Sequence, residues 1–214
     1  NGDKGRETIN GVHVYRIGFP FRRGNLFWYV FEYVYFFIVA SVKIPLLSFR
    51  RRYDLIEVHS MPDFLVFITV IPRLFGSKVI LFLFENMPGL YMSTFRKGPD
   101  HIGTRFLRFM ERISARYAQR VLVSDGPPYR DVLVSQGIPP DKITVILNVP
   151  DDAVFGSGPP AGKSGNNFRL VIVSTLVERY GVQTVIEAVP LLLSKIPDIE
   201  VDIVGDGEYR PTLE

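Results

Sequence analysis

The chain has no cysteine, which excludes a disulfide framework and a thiolate zinc site and suits a reducing compartment. Histidine is nearly as scarce. His13, His59 and His101 stand too far apart to form a His-x3-His metal pair, so no metal site is expected. No internal repeat is present. The sequence opens on Asn1 rather than Met and stops within GDGEYRPTLE. Both ends are expected to be cut, so the lack of a leader peptide carries no information. Acidic residues are sparse in the first part: residues 1–150 hold 20 Lys/Arg against 12 Asp/Glu, a net +8, whereas residues 151–214 hold 5 against 10, a net −5. A basic first part suits an anionic partner such as a lipid head group or a phosphate. The basic residues do not interleave with aromatics in an RNA-binding signature, so nucleic acid is not an expected partner.

Apolar residues are abundant: at 47% of 214 residues they suffice for a sizeable core in one large or two small domains. Strand-length apolar runs alternate with helical stretches. The expected strands are Val12–Ile17, Tyr53–His59, Lys78–Phe84, Arg120–Ser124, Lys142–Leu147, Phe168–Ser174 and Ile199–Val204. Their near-continuous Val, Ile and Leu content is that of parallel strands covered on both faces. Helices are expected over Leu26–Phe49, Pro62–Phe75, Gly103–Ala118, Pro128–Gln136 and Val182–Lys195, with Asp125 capping the fourth and Gly137 just beyond its end. This alternation predicts an α/β chain with a doubly wound, Rossmann-like parallel sheet. Residues 148–167 break the rhythm with Gly, Pro, Ser and Asn. The expected organisation is a domain over 1–150, a linker over 151–167, and the start of a second Rossmann-like domain over 168–214, too short to close a core alone.

Residues 26–47, LFWYVFEYVYFFIVASVKIPLL, are apolar around most of a helix, with Glu32 and Lys43 as the charged members. Arg22 and Arg23 precede the run, and Arg50, Arg51 and Arg52 follow it. An interfacial helix with arginines on anionic head groups and a buried helix stay equally open. A membrane span is disfavoured by Glu32, by Pro45 shortening the helix, and by Tyr53–His59 belonging to the same sheet as Val12–Ile17.

Ligands of a doubly wound sheet bind beyond the carboxyl ends of its strands. Those ends carry His59, Ser60 and Asp63, then Glu85 and Asn86, then Ser124 and Asp125, then Asn148. In the second unit they carry Thr175, Arg179 and Tyr180, then Gly205, Asp206 and Gly207. Each also has an ordinary structural reading: Ser60 and Asp63 as helix caps, Asn148 and the Gly-Asp-Gly run as turns, His59 as a hydrogen-bonding residue. Polar residues recurring on one edge, strand after strand, favour a site.

The segments YDLIEVHSMPDFLVF, GSKVILFLFENMPGLYMSTF, RVLVSDGPPYRDVLVSQGIPPDKITVILNVPDDAVF, LVIVSTLVERYGVQTVIEAVPLLL and IVGDGEYRPTLE, in this order, resemble family 4 glycosyltransferases. The resemblance implies a GT-B fold, two Rossmann-like domains facing a cleft. It implies transfer of a sugar from a nucleotide diphosphate sugar to a polysaccharide or lipid-linked acceptor, with retention and without metal or cofactor. Of the Arg and Lys that meet the diphosphate in the family, the first corresponds to Thr175. The second corresponds to Tyr180 or, with a small shift, to Arg179, the residue assigned to the phosphates here. Gly205, Asp206 and Gly207 would line the nucleotide base. Phe84 stands where the family often carries a His facing the reacting sugar. His59 and Glu85 are therefore the catalytic candidates, with Ser60, Asp63, Asn86, Ser124 and Asn148 as substrate contacts. The family's Glu-x7-Glu motif and its first strand with a Gly-rich loop are not in this sequence, so the chain is expected to be a piece that does not turn over substrate alone. Alternatives on the same fold are a sugar-nucleotide epimerase and a non-catalytic binding partner. The expected location is cytoplasmic, peripheral at the inner face of the plasma membrane.

Overall fold

The computed structural model describes residues 5–18, 26–151, 153 and 168–214. Arg22, Arg23 and nearly all of the expected linker lie outside these residues. The chain divides into two compact units, Asn1–Asn148 and Val149–Glu214.

The first unit opens with a hairpin of β1 (Arg6–Ile9) and β2 (Val12–Tyr15), paired antiparallel with Ile9 opposite Val12. Asn10 and Gly11 take φ of 48° and 82°, the backbone a two-residue hairpin turn requires. The expected placement of Val12–Ile17 in the main sheet is thus corrected: a local Asn-Gly turn closes the strand onto its own neighbour. A membrane span over residues 26–47 would therefore not divide one sheet across a bilayer.

Helix α1 (Leu26–Arg51) follows and runs through Pro45 rather than stopping there. Proline removes one N–H bond from the helix. Tertiary contacts on either side hold the rest: Phe37 packs edge-on against Phe64 at 5.5 Å and Phe49 against Phe75 at 5.0 Å. The Ser48 hydroxyl also donates to the Ile44 carbonyl at 2.8 Å.

Strands β3 (Leu55–His59), β4 (Lys78–Leu83), β5 (Arg120–Val123) and β6 (Ile143–Val145) then form one sheet in the order β3-β4-β5-β6, every pair parallel. A 3-10 turn (Asp63–Thr69) and α2 (Val70–Leu74) connect β3 to β4. Helices α3 (Met87–Phe95) and α4 (Ile102–Tyr117) connect β4 to β5, and α5 (Pro127–Ser135) connects β5 to β6. The core forms where Val79, Leu81, Leu83, Val121 and Val123 meet Val66, Ala115 and Leu133 of the covering helical segments. Period-two alternation along β4 sends these residues to one face and leaves Ile80 and Phe82 half-buried on the other.

Asp125 does not cap α5. The N-cap is Gly126, which has no side chain to accept a bond, and Pro127 and Pro128 leave the first two helical positions without an N–H. Gly137, at φ 82°, stands just beyond its end.

In the second unit, β7 (Arg169–Val173) and β8 (Glu200–Val204) pair in parallel across α6 (Val182–Leu193), and a short α7 (Arg210–Leu213) follows.

Candidate functional site

Because β3 to β6 are parallel, their carboxyl ends share one edge. His59 ends β3 with its side chain about half exposed, and its Nε2 lies 2.7 Å from Glu57 Oε1. Two residues apart on a strand, Glu57 and His59 point to the same face. The imidazole meets Phe82 at 5.4 Å and Phe84 at 5.3 Å, and these two rings lie 4.2 Å apart. His59 therefore stands directly beside Phe84. Of the other histidines, His101 caps α4 by accepting from Gly103 N, and His13 meets Thr8 within the hairpin.

Two serines tie the strand ends together. Ser60 Oγ accepts from Phe84 N at 3.1 Å, and Ser124 Oγ donates to the Phe84 carbonyl at 2.8 Å. The backbone of Phe84 is thus held from both neighbouring strands. Asn86 caps α3, its Oδ1 accepting from Gly89 N at 2.8 Å. Asn86 and Asp125 also line a cavity of about 220 Å³ with Pro128, Tyr129 and Val132. Glu85 is half-buried on the same edge, and Asn148, following β6, is exposed.

Asp63 lies beneath this rim, 6% exposed, and among the described residues its Oδ1 has no hydrogen-bond partner. It does not cap a helix either. Behind it stands a buried polar group that sequence reasoning missed. The Tyr129 hydroxyl donates to Glu111 Oε1 at 2.6 Å and lies 3.4 Å from the Glu85 carbonyl oxygen, and Gln136 Nε2 donates to Glu111 Oε2 at 2.8 Å. Burial raises Glu111 against the opposing pull of these two bonds. Burial, then the nearby Glu111 charge, pushes Asp63 from 3.8 up to about 7.

A carboxyl with a raised folded-state value holds its proton more tightly in the folded chain than in the unfolded one. Its contribution is complete below pH 3.8 and is lost as pH rises through about 7, a span worth about 4 kcal/mol. Asp63→Asn is therefore expected to raise the urea midpoint at about pH 8.5 and to flatten the fall in stability between about pH 4 and about pH 7. Equal slopes for the variant and the parent would contradict this account of Asp63.

A second cavity, about 260 Å³, lies beside Met61 at the end of β3 and is lined by Ile17, Glu32, Tyr33, Tyr35, Phe36 and Leu65.

In the second unit, the carboxyl ends of β7 and β8 form another edge. Arg179 and Tyr180 are exposed just ahead of α6. The guanidinium lies over the tyrosine ring at 4.8 Å and Nη2 donates to its hydroxyl at 3.1 Å. Thr175 is exposed on this edge. Asp206 Oδ1 accepts from Gly207 N at 2.9 Å, and the Asp206 carbonyl accepts from Leu176 N at 2.9 Å. The two flanking glycines lie against backbone: a Cβ on Gly205 would stand 1.9 Å from the Ser174 carbonyl oxygen, and one on Gly207 would stand 2.2 Å from that of Leu176. Among the described residues no three His, Asp or Glu side chains gather as metal ligands.

A family model described as a glycosyl transferase 4-like domain matches residues 1–148. No curated protein matches the chain.

Proposed function

The chain belongs to the glycosyl transferase 4-like family, and from that premise we propose that the protein moves a hexose from a nucleotide diphosphate sugar to a hydroxyl of a glycan or lipid-linked acceptor, with retention and without metal. Residues 1–148 form the Rossmann-like domain of a GT-B type fold. The observation that carries the reading is the single carboxyl edge of β3–β6, which gathers His59, Glu85, Asn86 and Asn148 within the matched residues.

In this reading the first unit orients the acceptor. Glu57 accepts from His59 Nε2–H, which leaves Nδ1 to meet a sugar or acceptor hydroxyl. The acceptor oxygen bonds to the anomeric carbon on the face from which the diphosphate departs, the acceptor proton passes to the departing diphosphate oxygen, and the diphosphate leaves with the bonding electron pair. The second unit meets that leaving charge with the positive amino end of the α6 dipole and the Arg179 guanidinium. Gly205, Asp206 and Gly207 border the base.

Phe84 favours a second reading, a non-catalytic binding partner, because a phenyl ring can neither orient a hydroxyl nor carry a proton. The test is nucleotide diphosphate release by the protein from its complete reading frame, offered a panel of nucleotide sugars with and without lipid-linked or glycan acceptors. Release that requires both substrates is expected. An epimer formed without acceptor would replace the transferase with an epimerase. Neither turnover nor nucleotide binding, with Phe84→His restoring nothing, would establish the non-catalytic reading.

A further inference from the structure

Helix α1 presents two unlike sides. Its inner side is packed: Phe37 sits on Phe64 of the 3-10 turn, Ala40 and Pro45 are buried, and the helix lies against the 3-10 turn and α2. Its outer side carries Phe31, Tyr35, Ile38, Val42, Leu46 and Phe49. The spacing of three and four residues makes them one line along the helix, and each is 36–60% exposed. The line continues beyond Phe49 onto Phe75, 5.0 Å away, and Phe75 and the adjacent Leu74 are 73% and 80% exposed. A continuous apolar strip of this kind marks a surface that something covers.

Charge indicates the covering partner. Arg50 and Arg51 end the helix and Arg52 follows, all exposed, beside the Phe49 end of the strip. From Phe31 to Arg51 the only acid is Glu32, at the opposite end and in the wall of the Met61 cavity. An aromatic and aliphatic strip ending in three arginines matches an anionic bilayer surface, where apolar side chains enter the acyl boundary and guanidinium groups meet phosphates. A spanning orientation would strip the inner side of its contacts with the 3-10 turn, so the helix lies in the interface plane.

We propose that the outer face of α1, with Phe75 and Arg50–Arg52, docks the protein onto an anionic lipid surface. This inference stands independently of sugar transfer.

Flotation of the complete protein with vesicles of phosphatidylcholine containing about 30% phosphatidylglycerol tests it. The parent is expected to float at low salt and to bind pure phosphatidylcholine at least tenfold less. Replacing Arg50, Arg51 and Arg52 together by Gln is expected to weaken binding about a hundredfold. The pair Ile38→Glu and Val42→Glu, on exposed positions, is expected to abolish it with an unchanged melting point. Phe106→Glu with Phe109→Glu, equally exposed on α4, is expected to leave binding unchanged. The inference fails if the parent does not float at low salt, if the α4 pair weakens binding as much as the α1 pair, or if the α1 pair abolishes self-association and leaves flotation intact. The arginine variant decides the matter should the α1 pair not fold.

Discussion

His59→Gln is expected to lower kcat/KM for acceptor-dependent transfer about a hundredfold, with the fold and melting point unchanged. The substitution keeps a polar side chain of similar reach but removes the ring whose orientation Glu57 fixes at 2.7 Å. The fold is spared because His59 sits at a strand end with its side chain half exposed and outside the core cluster. Glu57→Gln, which removes the orienting charge and leaves the imidazole, is expected to cost about tenfold. Steady-state kinetics with a saturating donor check both. Activity of His59→Gln within twofold of the parent would remove His59 from the site and leave Glu85 as the remaining candidate on that rim.

Gly207→Ala is expected to unfold or severely weaken the second unit, by about 3 kcal/mol or more. The reason is contact with backbone, which cannot rotate away. An added Cβ would stand 2.2 Å from the Leu176 carbonyl oxygen and 2.7 Å from its carbon. Leu176 is pinned on both sides, its N–H donating to Asp206 O and its carbonyl accepting from Tyr209 N. Gly181→Ala is the contrasting control. Gly181 has φ 74° but open space around it, so its cost is only that of a left-handed backbone, about 1 kcal/mol. Urea denaturation of the complete protein distinguishes them: a low-urea transition lost in Gly207→Ala and barely shifted in Gly181→Ala is expected. Equal, small shifts would show that the loop relaxes freely.

The sequence announces the parallel sheet because its two central strands, Lys78–Leu83 and Arg120–Val123, are nearly all apolar, whereas the edge strand β3 leaves Leu55, Glu57 and His59 exposed on one face. The rim was legible for the same reason, since the first polar residue after each run marks a strand end. The hairpin was misassigned although Asn10-Gly11 signalled it, because the VHVY run alone fits either sheet. Helix α3 is not legible in the sequence because MPGLYMSTF has no clear apolar period; the Asn86 cap and Pro88 within its first turn define it. The Glu111, Tyr129 and Gln136 network was hidden for a different reason. A glutamate in an Arg-rich amphipathic helix reads as surface, and only the fold brings Tyr129 and Gln136 onto its buried carboxylate. Similarly, Asp63 reads as a cap or ligand from its place after β3, yet the 3-10 turn folds it inward.

In the proposed reaction the edge of β3–β6 orients the acceptor, and the edge of β7–β8 holds the donor. Titration of a nucleotide diphosphate sugar into the parent, Arg179→Ala and His59→Gln by calorimetry tests it most directly. Donor affinity is predicted to fall at least tenfold in Arg179→Ala and to stay unchanged in His59→Gln. Unaltered affinity in Arg179→Ala, or a loss confined to His59→Gln, would contradict the account.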